Sequence, residues 1–381
     1  MPEAVTVAAP DVIVVGGGVI GCAITWALAK AGASVTLLER DYVGAHASSV
    51  AAGMLAPLTE ARHPSGGPGD DALFDLTLRS LDLFPSFADE LREATGVDVE
   101  CVISGLLRVP ESPESASRLR ERFRWLEGLQ RGVQWLDAGS LRDAEPSLDP
   151  IAHGALYSPQ EGHVQSRRVV QALASAATVA GAAVIEGTPV VSLTQEGDRV
   201  TGVRTMQETL SAGEVVLCAG PWADLTEALG YHLPVRPEKG QLLTVRPRQA
   251  LLRRIVFADT CYLVPRRDGT VLVGATAEDV GYDARPTAWS VGRILEGALR
   301  VVPKLAEAEF LGTVAGLRPK TPDRLPVLGP LPGWRGVTLA TGHFRNGILL
   351  SAITAQLVSE LVLTGRSEVL PAPFSPARFV A

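Results

Sequence analysis

The sequence predicts a two-domain α/β protein: a Rossmann-like, doubly wound dinucleotide-binding domain interleaved with a domain built on an antiparallel sheet. Three observations predict it. The chain opens, from Asp11 to Arg40, on a β-α-β layout around a glycine-rich turn. Strands that end in glycine return in the middle, at Glu214–Gly220, and near the end, at Gly336–Ala340 followed by Thr341–Gly347. Between those returns, Arg236–Arg246, Tyr262–Pro265 and Thr270–Ala275 read as successive antiparallel strands. A length of 381 residues leaves room for two domains.

The first unit carries the most information. Val12–Val15 is an apolar run of the kind that forms a buried strand, and Gly16-Gly17-Gly18-Val19-Ile20-Gly21 fits G-x-G-x-x-G. A helical stretch follows at Ala23–Ala31, Gly32 breaks it, and a second apolar strand, Ser34–Leu38, runs into Glu39, 21 residues after Gly18. The residue types match the chemistry of a dinucleotide. Glycines let the backbone approach a pyrophosphate, the helix N-terminus presents N–H groups and a positive dipole end, and a carboxylate accepts hydrogen bonds from ribose hydroxyls. Val12–Ala29 is also 18 residues without a charge, the length of a membrane span. Four of those residues are glycines clustered where a turn is needed, so strand, turn and helix are expected instead. The leader Met1–Pro10 holds Glu3 and no basic residue, unlike a secretory n-region, and is expected to be a short tail.

The remaining elements follow in order. Gly44–Thr59 is rich in small residues, and Arg62–Asp71 reads as a loop that could serve as an entrance flap. Leu73–Thr95 has helical spacing, Val97–Val109 alternates as strands do, and Glu114–Gly128 is a charged helix. Val164–Ala180 is helical, Gly181–Thr188 and Val190–Leu193 are strands, and Gly197-Asp198 turns the chain into Val200–Thr205. Val291–Val301 and Ile348–Leu363 are helices. The expected division assigns residues 1–90, 150–225 and 315–381 to the dinucleotide domain and 91–149 and 226–314 to the substrate domain. No second G-x-G-x-x-G is present, which argues against two such cofactor folds.

Composition narrows the classes. The formal charge is −7 and no basic stripe occurs, so nucleic acid is not an expected partner. Cys22, Cys101, Cys218 and Cys261 are far apart in apolar contexts, and buried free thiols in a reducing cytoplasm are expected. The six histidines have no metal-ligand spacing, so no metal is expected. With the one long apolar run, Val12–Ala29, read as strand, turn and helix, no membrane partner is expected either.

Five segments together resemble the amine-oxidising flavoproteins of the D-amino acid oxidase family, and within it the glycine-oxidising branch tied to thiamin biosynthesis. They are VVGGGVIG with Glu39-Arg40, Ser48–Pro57, Val215–Trp222, Cys261–Thr276, and Ala315–Gly329 with Gly342–Leu350. The resemblance implies FAD. It implies adenosine and pyrophosphate contacts from Gly16, Gly18, Val19, Ile20, Gly21, Glu39 and Arg40, and a hold on the middle of the cofactor by Ala47, Ser48, Ala52, Gly53, Met54 and Gly220. Val190 would meet the adenine end, and His343, Phe344, Arg345, Asn346, Gly347, Ile348 and Leu349 would wrap the flavin ring. The last assignment also makes physical sense by itself, since a helix N-terminus stabilises negative charge on a reduced flavin. No cysteine lies beyond Cys261, where family members with covalent flavin place one, so a dissociable FAD is implied.

For the substrate, the resemblance implies Arg318 as a bidentate carboxylate clamp, Tyr262 as a hydroxyl donor to the same carboxylate, and Arg345 lining the site. The implied reaction is oxidative deamination of glycine or a small or N-substituted amino acid, with O2 reduced to hydrogen peroxide. Three alternatives stay open at this level: an oxidase of a larger secondary amine, an FAD-dependent dehydrogenase using another acceptor, and a non-catalytic flavin protein. Exposed sheet edges make a homo-oligomer an expectation as well.

Overall fold

The computed structural model describes residues 9–60, 67–149, 153–366 and 370–380. Most of the Met1–Pro10 leader, and the start of the expected flap at Arg62–Ser65, lie outside the described residues. Two large sheets organise the chain. The first has six strands, in the order Val327–Pro330, Val337–Thr341, Glu214–Leu217, Val12–Val15, Val35–Leu38 and Ala183–Ile185. All neighbours in it run parallel except the Val327–Pro330 edge. Its central strand, Val12–Val15, is buried on both sides, as parallel strands covered by helices and loops must be.

One face of this sheet is covered by helices Val19–Lys30, Ser166–Val179, Pro68–Thr95 and Gly347–Thr364, which share a single apolar core with it. The other face is covered by a three-stranded sheet, Val190–Glu196, Arg199–Thr205 and Thr209–Ser211. Helix Gly347–Thr364 is long and apolar enough to cross a membrane, yet 67% of it is buried inside the protein. It is a core helix with apolar residues all round.

The second large sheet has eight strands: Glu309–Lys320, Arg236–Arg246, Val271–Gly274, Tyr262–Pro265, Ile255–Phe257, Leu106–Arg108, Ala155–Ser158 and Gln134–Leu136. Its pairs are antiparallel apart from Ile255–Phe257 with Leu106–Arg108. Helix Ala288–Val301 packs its apolar stripe against this sheet.

Some elements differ from expectation. Within Val97–Val109 only Leu106–Arg108 is a strand, because Gly105 turns the backbone at φ +83° just before it. The Arg62–Asp71 loop is shorter than expected at its far end. A helix begins at Pro68, where proline suits a first helical position that has no N–H to place. Cys101 is half-buried rather than buried, and all four cysteines are free. Ala155–Ser158 and all of Glu309–Lys320 pair into the eight-stranded sheet. The expected boundary at 315 therefore cuts the strand Glu309–Lys320 in two, and we propose moving Ala155–Ser158 and residues 315–320 from the dinucleotide domain to the substrate domain.

Candidate active site

A cavity of about 680 Å³ is lined by residues from both large sheets. At one end it is lined by Gly16, Gly18, Val19, Glu39, Arg40 and Val190, and at the other by Glu60, Tyr262, Arg318 and Arg345. Ala47, Ser48, Ala52, Gly53, Met54 and Gly220 border its middle, together with Ile20 and the turn His343–Ile348. Of the residues implied by sequence, Gly21 and Leu349 are the two that do not line it.

The glycines of the first turn have three separate jobs. A Cβ on Gly21 would lie 1.9 Å from the Gly16 carbonyl oxygen, so Gly21 lets the helix close onto the strand. Gly16 takes φ +109°, and its Cβ would strike the Cys218 carbonyl at 2.6 Å. At Gly18 a Cβ would meet only Ser48 Oγ, at 3.3 Å, so its open side faces the cavity. Ser48 Oγ accepts a hydrogen bond from the Val19 N–H at the start of the helix. Glu39 is buried and accepts from the Gly17 N–H at 2.6 Å and the Asp41 N–H at 3.0 Å. This carboxylate therefore stiffens the glycine turn as well as facing the cavity.

The middle of the cavity is held by a residue that the sequence reading did not single out, Arg266. Its guanidinium donates to the carbonyls of Ala52 and Val164 and contacts His163 Nδ1 at 3.0 Å. Burial and that neighbouring cation push the His163 pKa down to about 3, so its ring is a neutral acceptor. Gly53 sits at φ +69°, with no room for a Cβ against Val164. Cys218 and Cys261 also border the cavity, and burial pushes both thiols up, Cys261 to about 12. Neither presents a thiolate.

The turn that leads into helix Gly347–Thr364 reaches the cavity through its backbone. Phe344 adopts φ +51° and donates its N–H to the Pro319 carbonyl, next to Arg318. The first helical hydrogen bond runs from Leu350 to Asn346, so the N–H groups of Gly347, Ile348 and Leu349 precede it. The Leu349 side chain is core, and its carbonyl accepts from Ser80. His343 turns its ring inward to Thr354 at 3.1 Å, and burial lowers its pKa to about 3. It is a neutral packing residue.

At the far end, Arg318 lies on Glu309–Lys320 and pairs across the sheet with Glu238. Its Nη1 donates to the Thr276 carbonyl at 3.0 Å and stands 3.5 Å from Glu238 Oε1. Gly240, on the neighbouring strand, leaves the space that the guanidinium fills. Gly274, paired with Tyr262, does the same for the phenol, since a Cβ there would lie 2.6 Å from the hydroxyl. A glycine inside a strand marks a close approach, and that was the available sequence signal for both. Burial raises the Tyr262 pKa to about 12, so its hydroxyl remains a donor. Glu60, also unforeseen, brings a carboxylate towards Arg345 and Arg318, and burial raises its pKa. The short helix Pro57–Glu60 that carries it is pinned from behind. Glu161 accepts from the Thr59 N–H and hydroxyl, while Arg122 and Arg108 donate to the Thr59 carbonyl.

Residues 11–361 match the DAO family of FAD-dependent oxidoreductases. The chain belongs to that family. It is 39% identical over 373 residues to a glycine oxidase of Geobacillus kaustophilus, covering 97% of both chains. The crystal structure of glycine oxidase from that organism superposes with a TM-score of 0.92 at 38% identity, over 98% of this chain and 99% of the other. A bifunctional protein ThiO/ThiG of Trichormus variabilis is 36% identical over 97% of this chain, which spans 55% of that longer protein. A hydrogen cyanide synthase subunit HcnC of Pseudomonas aeruginosa is 34% identical, over 97% of this chain and 96% of that one. FAD is the family's cofactor, and the chemistry of the cavity's lining fits it. The cavity has an open glycine turn with a helix N-terminus and a carboxylate at one end, and a second helix N-terminus further along.

Proposed function

We propose that this flavoenzyme oxidises glycine or a small or N-substituted amino acid to an α-oxo acid and ammonia or an amine. The observation that carries the reading is the pairing of Arg318 and Tyr262 over two side-chain-free strand positions, Gly240 and Gly274, inside the cavity. A planar guanidinium and a protonated phenol form a carboxylate receptor. Glu60 opposite the two arginines favours a ligand that also carries a cationic or neutral amine over a second anion.

In this reading Gly16, Gly18, Val19, Ile20, Glu39, Arg40 and Val190 hold the adenosine and pyrophosphate. Ala47, Ser48, Ala52, Gly53, Met54 and Gly220 hold the centre, and the backbone of His343–Leu349 meets the flavin ring. Gly21 and the Leu349 side chain act indirectly, by closing the helices onto their strands. The chemistry that bound FAD would supply is acceptance of a hydride from the substrate Cα and electron transfer to O2, giving hydrogen peroxide. The chain's own work is orientation: Arg318 and Tyr262 fix the carboxylate, and this sets the direction of the Cα–H. Tyr262 keeps its proton throughout, and the amine enters neutral, so no strong base is required.

Anaerobic titration with glycine, N-alkyl glycines and larger secondary amines, following the flavin absorbance, tests the substrate class. Bleaching by the larger amines alone would favour the secondary-amine alternative. Peroxide release with oxygen uptake separates an oxidase from a dehydrogenase that uses another acceptor. The four free cysteines support a reducing, cytoplasmic setting. The exposed Phe310, Leu311 and Val314 on the sheet's edge strand support association with a second copy.

A further inference from the structure

The segment between strand Val271–Gly274 and helix Ala288–Val301 is fastened at both of its ends. Glu278 exchanges backbone hydrogen bonds with Lys239, and its carboxylate takes Lys239 Nζ at 3.1 Å, Gln241 Nε2 at 2.6 Å and Ser290 Oγ at 2.9 Å. Thr287 donates its N–H to Gln241 Oε1 at 2.8 Å. Between these anchors the chain leaves the eight-stranded sheet and reaches the turn that follows Glu214–Leu217 of the six-stranded sheet. Tyr282 makes the contact. Its hydroxyl donates to the Pro221 carbonyl at 2.9 Å, and its ring stacks on Trp222 with centroids 5.9 Å apart and planes 28° apart. The Trp222 ring also carries the Arg40 guanidinium 3.8 Å from its centroid and the His46 ring at 4.6 Å. Asp41 holds Arg40 and His46 in that pose.

Arg40, His46 and Trp222 line the cavity beside Glu39 and Gly18, at the end suited to adenosine and pyrophosphate, whereas Tyr282 stands outside and is 51% exposed. One hydrogen bond and one stacked ring therefore join the two sheets across this end of the cavity. Such a contact can open without disturbing either core.

We propose that the Arg40–Trp222–Tyr282 stack is a retention strap for the ADP half of FAD, and that its opening sets the rate at which the cofactor leaves. The strap rests on family membership and on this geometry, and is independent of which amine is oxidised. The test is the release rate of FAD from the holoenzyme, read as the rise of free-flavin fluorescence after dilution into an FAD-binding trap protein. Tyr282→Ala should release FAD roughly three- to tenfold faster, the worth of one aromatic contact. Tyr282→Phe, which keeps the ring, should fall between Tyr282→Ala and the parent. Apoprotein thermal midpoints should match the parent in both. Release at the parental rate in Tyr282→Ala would overturn the proposal. A fall in the apoprotein midpoint that accounts for the faster release would also overturn it, by making the stack a general brace.

Discussion

A Cβ on Gly240 would stand 2.1 Å from Nη2 of Arg318, so the absence of a side chain on one strand is what lets the arginine of the next lie flat over the sheet. The obstructed atom is the end of a flexible side chain, so Gly240→Ala should leave the fold intact and displace the guanidinium. We expect KM for glycine to rise roughly tenfold, by loss of about one well-aligned charged hydrogen bond. Steady-state kinetics beside a melting curve check it, and an unchanged KM would show that Arg318 does not use this floor.

Removing the guanidinium is the more severe change. Arg318→Ala should raise KM for glycine by about 100-fold, the cost of two charge-assisted bonds, while FAD stays bound because Arg318 lies at the opposite end from the glycine turn. Kinetics and the flavin spectrum of the purified variant measure the two effects separately. Unchanged KM for glycine would refute the clamp.

The glycines of the first turn should respond differently to added side chains. Gly18 has open space on the cavity side, so Gly18→Val should fold yet purify colourless. Gly21→Ala meets the Gly16 carbonyl at 1.9 Å and should lose soluble expression or melt far below the parent. A yellow Gly18→Val protein would remove Gly18 from the pyrophosphate site.

Glu161 makes stability depend on pH. It is fully buried, and burial raises its pKa from 4.5 to about 7 against the lowering pull of its Thr59 hydrogen bonds. The folded protein keeps this proton after the unfolded chain has released it. The associated stability is fully present below pH 4.5 and is lost as pH rises through about 7. Glu161→Gln keeps an acceptor for Thr59 and cannot ionise. Its melting temperature should gain on the parent's steadily between pH 5 and pH 8, and parallel curves would show that Glu161 does not titrate there.

The local elements were legible where one segment contains its own instructions. Val12–Glu39 shows a buried strand, a glycine turn, a helix and a closing carboxylate within one stretch, and it folds as read. That Tyr262, Arg318 and Arg345 share one cavity was also expected, from motifs that resemble a family. Glu60, Glu161 and Arg266 were not. Each looks in sequence like a surface charge, and each acquires its meaning only when a distant segment removes it from water or places a carbonyl in front of it. The expected loop from Arg62 to Asp71 overran because proline at a helix start reads in sequence as a breaker.

By itself, then, the order of residues determined the dinucleotide unit, the run of antiparallel strands and the family, since period, glycine spacing and apolar runs act over a few neighbours. Tertiary structure alone decided that Gly240 and Gly274 make room for Arg318 and Tyr262, that His343 packs inward as a neutral ring, and that Tyr282 spans to Trp222. These depend on which strands pair and on what burial does to a charge, and both are set by contacts between residues far apart in the chain.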